Sequence, residues 1–304
     1  MKELRRLTSI SEFHRVRGLQ PPAHPLISVV NYAEVVLSPE DNHINWVLDF
    51  YSISLKRDVI VKFRYGQQQY DFDEGIMYFI APDQVFNIEV PTEEQPNKSG
   101  WMLLIHPDFF WNTALAKNIK QYEYFGYATH EALFLSDKEE TTIVNIIHNI
   151  RQEYHTNIDK FTQQIIVSHV ETLLNYADRF YNRQFITRKI ANHQILEKLE
   201  QYLQASFQSE NLLANGIPTV QLISENLNIS PNYLSSLLKN LTGQSTQQHI
   251  QNKLIEVAKQ KLSTTTLSVN EVAYELGFEH PQSFRKFFKS RTNMSPLEFR
   301  ASFN

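Results

Sequence analysis

The stretch SVNEVAYELGFEHPQSFRKFFKSRTNMSPLEFR, residues 268–300, reads as two short helices joined by a tight turn, with the start of a third behind them. Val269, Val272 and Leu276 recur at the spacing of one helical face. Ser268 with Glu271, and Ser295 with Glu298, have the spacing of capping boxes, each a hydroxyl and a carboxyl satisfying free N–H groups at a helix start. Gly277 stands in the turn, where left-handed backbone costs glycine little. Pro281 opens the second helix at the position where its missing N–H is not needed. That helix interleaves Phe284, Phe287 and Phe288 with Arg285, Lys286, Lys289 and Arg291. It has one face to bury and one cationic face to display.

The same unit occurs earlier as VQLISENLNISPNYLSSLLKNLTGQS. Val220, Ile223 and Leu227 match Val269, Val272 and Leu276, and Pro231 matches Pro281 after one extra residue in the second turn. Leu234, Leu237 and Leu238 stand where Phe284, Phe287 and Phe288 do. Asn228 replaces glycine in the turn, the other residue type that accepts positive φ readily. Small residues, Ser224 and Ala273, fall where two helices must cross closely. One supersecondary unit is used twice. Between the copies, Ile250, Leu254, Val257, Ala258 and Leu262 mark a helix over 245–262, begun by Ser245 and Gln248 and roughly 27 Å long. Successive faces of a DNA major groove recur every ~34–36 Å, so a rigid spacer of this order lets one chain present two helices to adjacent grooves.

These residues carry a family resemblance. VAYELGF, FRKFFK and SPLEFR in the second copy, with ISPNYLSSLLKNLTGQS in the first, resemble the double helix-turn-helix DNA-binding domain of AraC/XylS transcription regulators. YDFDEGIMYFIAPDQVFNIEV is similar, more loosely, to the cupin-like effector domain that many members carry in front. The resemblance implies a two-domain α+β protein. A cupin-like β-barrel or sandwich with a helical hairpin at 137–184 would fill 1–184, and a helix and interdomain linker would follow over 185–216. The all-α DNA-binding domain would occupy 217–304, with motifs at 219–242 and 268–292. It further implies double-stranded promoter DNA and RNA polymerase as partners, a small-molecule effector such as a sugar or related metabolite, a homodimer and a cytoplasmic location. The residues that would bind effector are unknown.

With the apolar faces turned inward, the first motif displays Asn232, Ser235, Ser236, Lys239 and Asn240, and the second Gln282, Arg285, Lys286, Lys289 and Arg291. By residue type, Arg285 or Lys286 suits a guanine edge, and Asn232 or Gln282 an adenine edge. Lys239, Lys289 and Arg291 suit phosphate. The sequence departs from the family at Ser236 and Lys253, where arginine is common, and at Asn293, where glycine is usual. The second motif is therefore expected to discriminate bases more strongly than the first.

The front half differs in character. The whole chain of 304 residues has a formal net charge of −4, but residues 217–304 hold nine Lys/Arg against six Asp/Glu. The acidic surplus lies ahead of them, which points to two jobs. Residues 24–106 are rich in Val, Ile, Phe and Tyr with turn residues between, the pattern of strands. Two long apolar stripes follow, from Ile143 to Tyr154 and from Phe161 to Tyr181. They either cover the sheet or form a surface for self-association.

A competing class is a cupin-type metal enzyme fused to the DNA-binding helices, and a third is an architectural DNA-binding protein without effector. The enzyme reading finds little here. Metal cupins need two histidines one residue apart, and none of the 11 histidines is so placed. With no cysteine there is no thiolate chemistry, and no phosphate loop or nucleophile elbow occurs. The expectation is no catalytic residue, metal site or cofactor, and no membrane segment. Trp46, Phe50, Tyr51, Phe63, Tyr70, Phe72, Tyr78 and Phe86 are either core or the lining of an effector pocket.

Overall fold

The computed structural model describes residues 3–57, 64–65, 68–69, 75–88, 90, 99–128, 131–155, 159–187, 189–208, 212 and 215–302. The chain divides into two compact units, Met1–Gln184 and Phe185–Asn304. The first carries the sheets and the second is helical, the α+β arrangement expected from the sequence.

Ten strands are described: β1 (Glu3–Leu7), β2 (Ile27–Asn31), β3 (Ile44–Leu48), β4 (Tyr51–Arg57), β5 (Arg64–Tyr65), β6 (Gln68–Gln69), β7 (Ile76–Ile80), β8 (Val85–Asn87), β9 (Ser99–Ile105) and β10 (Leu133–Phe134). An antiparallel sheet runs β10-β7-β4-β9-β2, and a smaller one runs β1-β3-β8 with β1 parallel to β3; β5 pairs with β6. Between the two larger sheets lies one apolar cluster. Trp46, Leu48 and Phe50 meet Val30, Tyr32 and Leu104, and helix α1 (Ile10–Val16) adds Ile10 and Phe13. The first unit is thus a sandwich. Inside it Arg17 and Asp41 form an ion pair at 2.8 Å that is almost wholly shielded from water, with the guanidinium over the Trp46 ring.

The outer face of the five-stranded sheet carries helices. A short helix α2 (Leu115–Asn118) sits in the turn-rich 107–126 segment, followed by α3 (Asp137–His155) and α4 (Thr162–Thr187). On α3 Ile143, Ile146, Ile147, Ile150 and Tyr154 are buried, and the Tyr154 hydroxyl accepts from the Val29 N–H of β2 at 2.8 Å. Arg183 near the end of α4 grips Glu139 near the start of α3 through two N–H···O bonds of 3.0 and 2.7 Å, which sets the helices antiparallel. Ile166, Val170, Leu173, Leu174, Ala177 and Tyr181 of α4 are buried. The Tyr124 hydroxyl donates to the Leu174 carbonyl, while Gln184 bridges Phe134 N–H and Ala132 C=O. Of the two readings left open, covering the sheet is the one realised; Phe161 and Ile165 alone of the stripe residues stay exposed. The HTN connection between the two helices lies largely outside the described residues, as does 91–98 of the expected surface loop.

The second unit holds seven described helices: α5 (Lys189–Ser206), α6 (Val220–Leu227), α7 (Pro231–Thr242), α8 (Thr246–Thr264), α9 (Val269–Glu275), α10 (Pro281–Thr292) and α11 (Pro296–Ala301). Here the structure corrects the expected layout. Helix α5, assigned with the linker, packs on α6 and α8 and buries Ile195, Leu199 and Leu203. Linker residues 209–211 and 213–214 lie outside the described residues.

Candidate nucleic-acid interface

Each helix start of the repeat forms as its residues require. Ser245/Gln248, Ser268/Glu271 and Ser295/Glu298 all make complete capping boxes, and Ser230 Oγ accepts from Tyr233 N–H. His280 occupies the same position in the second motif without a side-chain cap. Asn228 at φ 55° and Gly277 at φ 80° turn the chain between the paired helices, and Gly243 and Asn293 end α7 and α10 in the left-handed region. Asn293 thus does for α10 what Gly243 does for α7.

Beneath α7 lie Leu234, Leu237 and Leu238, all fully buried, and beneath α10 lie Phe284 and Phe288 at 0% exposure. Phe287 is only half-buried, and its ring leans on Phe278. Ala273 and Ser224 are buried at the helix crossings. The spacer α8 buries Thr246, Ile250, Leu254, Ala258 and Leu262, one residue in four, in a stripe that winds round the helix by about 40° per step. Both motifs seat on that helix: α7 meets its start, and α9 and α11 meet its later turns. Lys261 of α8 pairs with Glu275 of α9 at 2.6 Å, and Arg300 Nε donates to the Leu262 carbonyl at the end of α8.

The displayed faces differ in make-up. On α7 Asn232 and Lys239 are exposed. Ser235 departs from the expected outward set: it is half-buried, and its hydroxyl lies 3.2 Å from that of buried Thr246. Thr246 takes this hydroxyl because the start of α8 passes directly beneath α7. Ser236 is also half-buried, and Asn240 folds back to donate to the Ser236 carbonyl at 2.9 Å. On α10 Gln282, Arg285, Lys286, Lys289 and Arg291 are all exposed. Two of these are held by neighbouring helices. Arg285 Nη2 donates to Asn270 Oδ1 on α9 at 2.8 Å, and Arg291 Nη2 donates to Gln251 on α8. Glu298 is held below the usual carboxylate range by the Ser295 N–H and hydroxyl, with a smaller pull from Lys289.

Asn270, Gln251 and Thr246 were not legible as parts of this surface. Each acts through a residue far along the chain, and local pattern carries no signal for that.

In the first unit the aromatic candidates separate. Trp46 and Phe50 are core, Phe86 packs against that core, and Phe63, Tyr70 and Phe72 lie outside the described residues. Tyr51 lines an open cleft of about 730 Å³ with Phe110, Trp111 and Lys117. Lys56 Nζ lies over the rings of Tyr32 and Tyr78 at 4.6 and 5.3 Å, and burial pushes the Tyr78 hydroxyl far above the usual phenol range. Among the described residues no group of three or more His, Asp or Glu is placed to hold a metal ion. None of their helices is long and apolar enough to cross a membrane.

Residues 223–302 match a helix-turn-helix domain family. An HTH-type transcriptional regulator of Staphylococcus aureus, itself uncharacterised, is 24% identical over 173 residues, 55% of this chain and 22% of that one. This chain therefore spans about a fifth of the length of those relatives. Among solved structures, the C-terminal domain of the response regulator yesN from Fusobacterium nucleatum is 30% identical, covering 34% of this chain and 95% of that one with a TM-score of 0.30. The DNA-binding domain of the global transcriptional factor AdpA, solved with a target DNA, is 23% identical over 36% of this chain and 91% of that one, with a TM-score of 0.31.

Proposed function

We propose that this chain, which belongs to the AraC family through its C-terminal helix-turn-helix domain, is a sequence-specific DNA-binding transcription regulator. The observation that carries the reading is the paired display of α7 and α10. Each buries its apolar side in its own motif and each leaves a polar side in water; α7 is seated directly on α8, and α10 is carried by α9 and α11, which rest on the same helix. A helix with a free polar face and a cationic end suits the major groove. Selection of duplexes from a random pool by the full chain, followed by footprinting, tests it. Enrichment of a sequence with two half-sites supports the reading, and recovery of unenriched DNA sinks it.

The first unit, in this reading, senses a small-molecule effector. What supports a sensor is Lys56, half-buried beside two tyrosine rings at the edge of the sandwich core, with no carboxylate paired to it among the described residues. Thermal-shift screening of sugars, organic anions and divalent metals separates the classes. A shift with one organic class supports a sensor, whereas a shift with metal alone favours the fused-enzyme reading. Operator affinity insensitive to all of them favours an architectural protein. A homodimer and contact with RNA polymerase remain part of the proposal. The buried stripes of α3 and α4 are not available to the dimer, so their polar outer faces or another surface must serve. Sedimentation of the full chain tests the dimer.

A further inference from the structure

The cationic residues of α10 are not equally prepared for binding. Arg285 is exposed, yet its Nη2 is fixed to Asn270 Oδ1 at 2.8 Å, from the neighbouring helix α9. Lys286, one position on and equally exposed, has no such tie among the described residues. An arginine side chain loses much rotamer freedom when it docks, and that loss is smaller if a neighbour already holds it. The geometry also leaves the guanidinium usable. It has five N–H donors, one of them given to Asn270, and a two-bond contact to a guanine edge needs two of the remainder. Asn270 is well placed to act without disturbing its helix. It is the second residue of α9, exposed, and the Ser268/Glu271 capping box does not involve its side chain.

We infer that Asn270 is a positioning residue, which holds Arg285 in the pose that reads a base edge in the major groove. The inference rests on the DNA-binding reading above. It makes Arg285, rather than Lys286, the main base-reading cation of the second motif, and assigns that role jointly to α9 and α10.

The test uses the full chain and a duplex selected by the wild type. R285A, N270A and the double variant are each measured against that duplex and against versions altered at single base pairs. R285A is expected to flatten discrimination at one or two positions. N270A is expected to lower discrimination at the same positions by about 3- to 10-fold, with little change elsewhere and an unchanged unfolding temperature. The double variant should match R285A, since the asparagine then has nothing to hold. If N270A is silent where R285A is not, the positioning role is overturned while DNA reading stands. If N270A instead weakens binding equally at every position, or adds its loss to that of R285A, Asn270 touches the DNA backbone and the inference is likewise overturned. If the wild type selects no sequence at all, the regulator reading itself fails, a result distinct from either.

Discussion

Phe185 and Tyr233 meet edge to face, ring centroids 5.2 Å apart, and both are buried. The contact joins the first residue of the second unit to the second helix of its first motif, 48 positions away in a chain whose linker was expected between them. The helical unit therefore begins at Phe185. Removing residues 185–216 strips α5, with its buried Ile195, Leu199 and Leu203, from α6 and α8. A fragment 185–304 is expected to unfold cooperatively in urea, and 217–304 at a clearly lower midpoint. Phe185→Ala in the longer fragment should cost about 3–5 kcal/mol, the usual range for a buried phenylalanine.

The three capping boxes separate by pH. Glu271 is held below its ordinary value by the Ser268 hydroxyl and N–H, and Glu298 by Ser295. A carboxyl with a lowered folded value stabilises above its unfolded value, and the gain is lost as pH falls through the folded one. The Ser245/Gln248 box has nothing to titrate. Ser245→Ala should cost about 0.5–2 kcal/mol at pH 7 and the same at pH 3. E271Q and E298Q should instead flatten the acid limb of the stability profile, which denaturation midpoints between pH 7 and pH 2 will show.

His249 is shifted in the same direction, but by burial and in a higher pH window. Burial lowers its ring below the ordinary value, partly offset by Glu200, and its Nε2 lies 2.9 Å from the Thr242 hydroxyl. The unfolded chain takes up a proton near pH ~6.5 while the folded one resists. Stability should fall as pH drops through that value, because the unfolded state binds more protons. H249Q is expected to lose less stability between pH 7.5 and pH 5 than the wild type; an equal loss would place the proton uptake elsewhere.

Lys239 and Arg285 are expected to fail differently. K239A should weaken binding alike on matched and mutated half-sites and reduce the salt slope by about 1. R285A should cost about 1–3 kcal/mol on the matched site only. Ser235→Ala, whose hydroxyl serves Thr246, should change stability slightly and discrimination hardly at all. Titrations at several salt concentrations distinguish the three.

The helix-turn-helix repeat was legible because everything that defines it is local. A capping serine or threonine, a glutamate or glutamine three residues on, a proline at the first turn and a period of three to four residues, in differing combinations, mark the helices within about ten positions each. The exposed face of α10 followed from its three phenylalanines. What local pattern could not give was what a stripe meets. Ile195, Leu199 and Leu203 announce an amphipathic helix but not that α6 and α8 receive it. The stripes of α3 and α4 read equally well as a dimer surface until Val29, Tyr124 and Phe134 are seen against them. The outward reading of Ser235 failed for a related reason: the helical wheel of α7 is right, but the start of α8 crosses its rim.

The burial of one residue in four along α8 has a consequence for any DNA that the proposed regulator would read. Inserting a single residue into that helix would swing everything beyond it by about 100° and advance it ~1.5 Å, so two half-words read by α7 and α10 would be locked to a constant gap. Candidate promoters can be sought as one fixed-length pattern, and a site with an added base pair should be rejected however well each half matches.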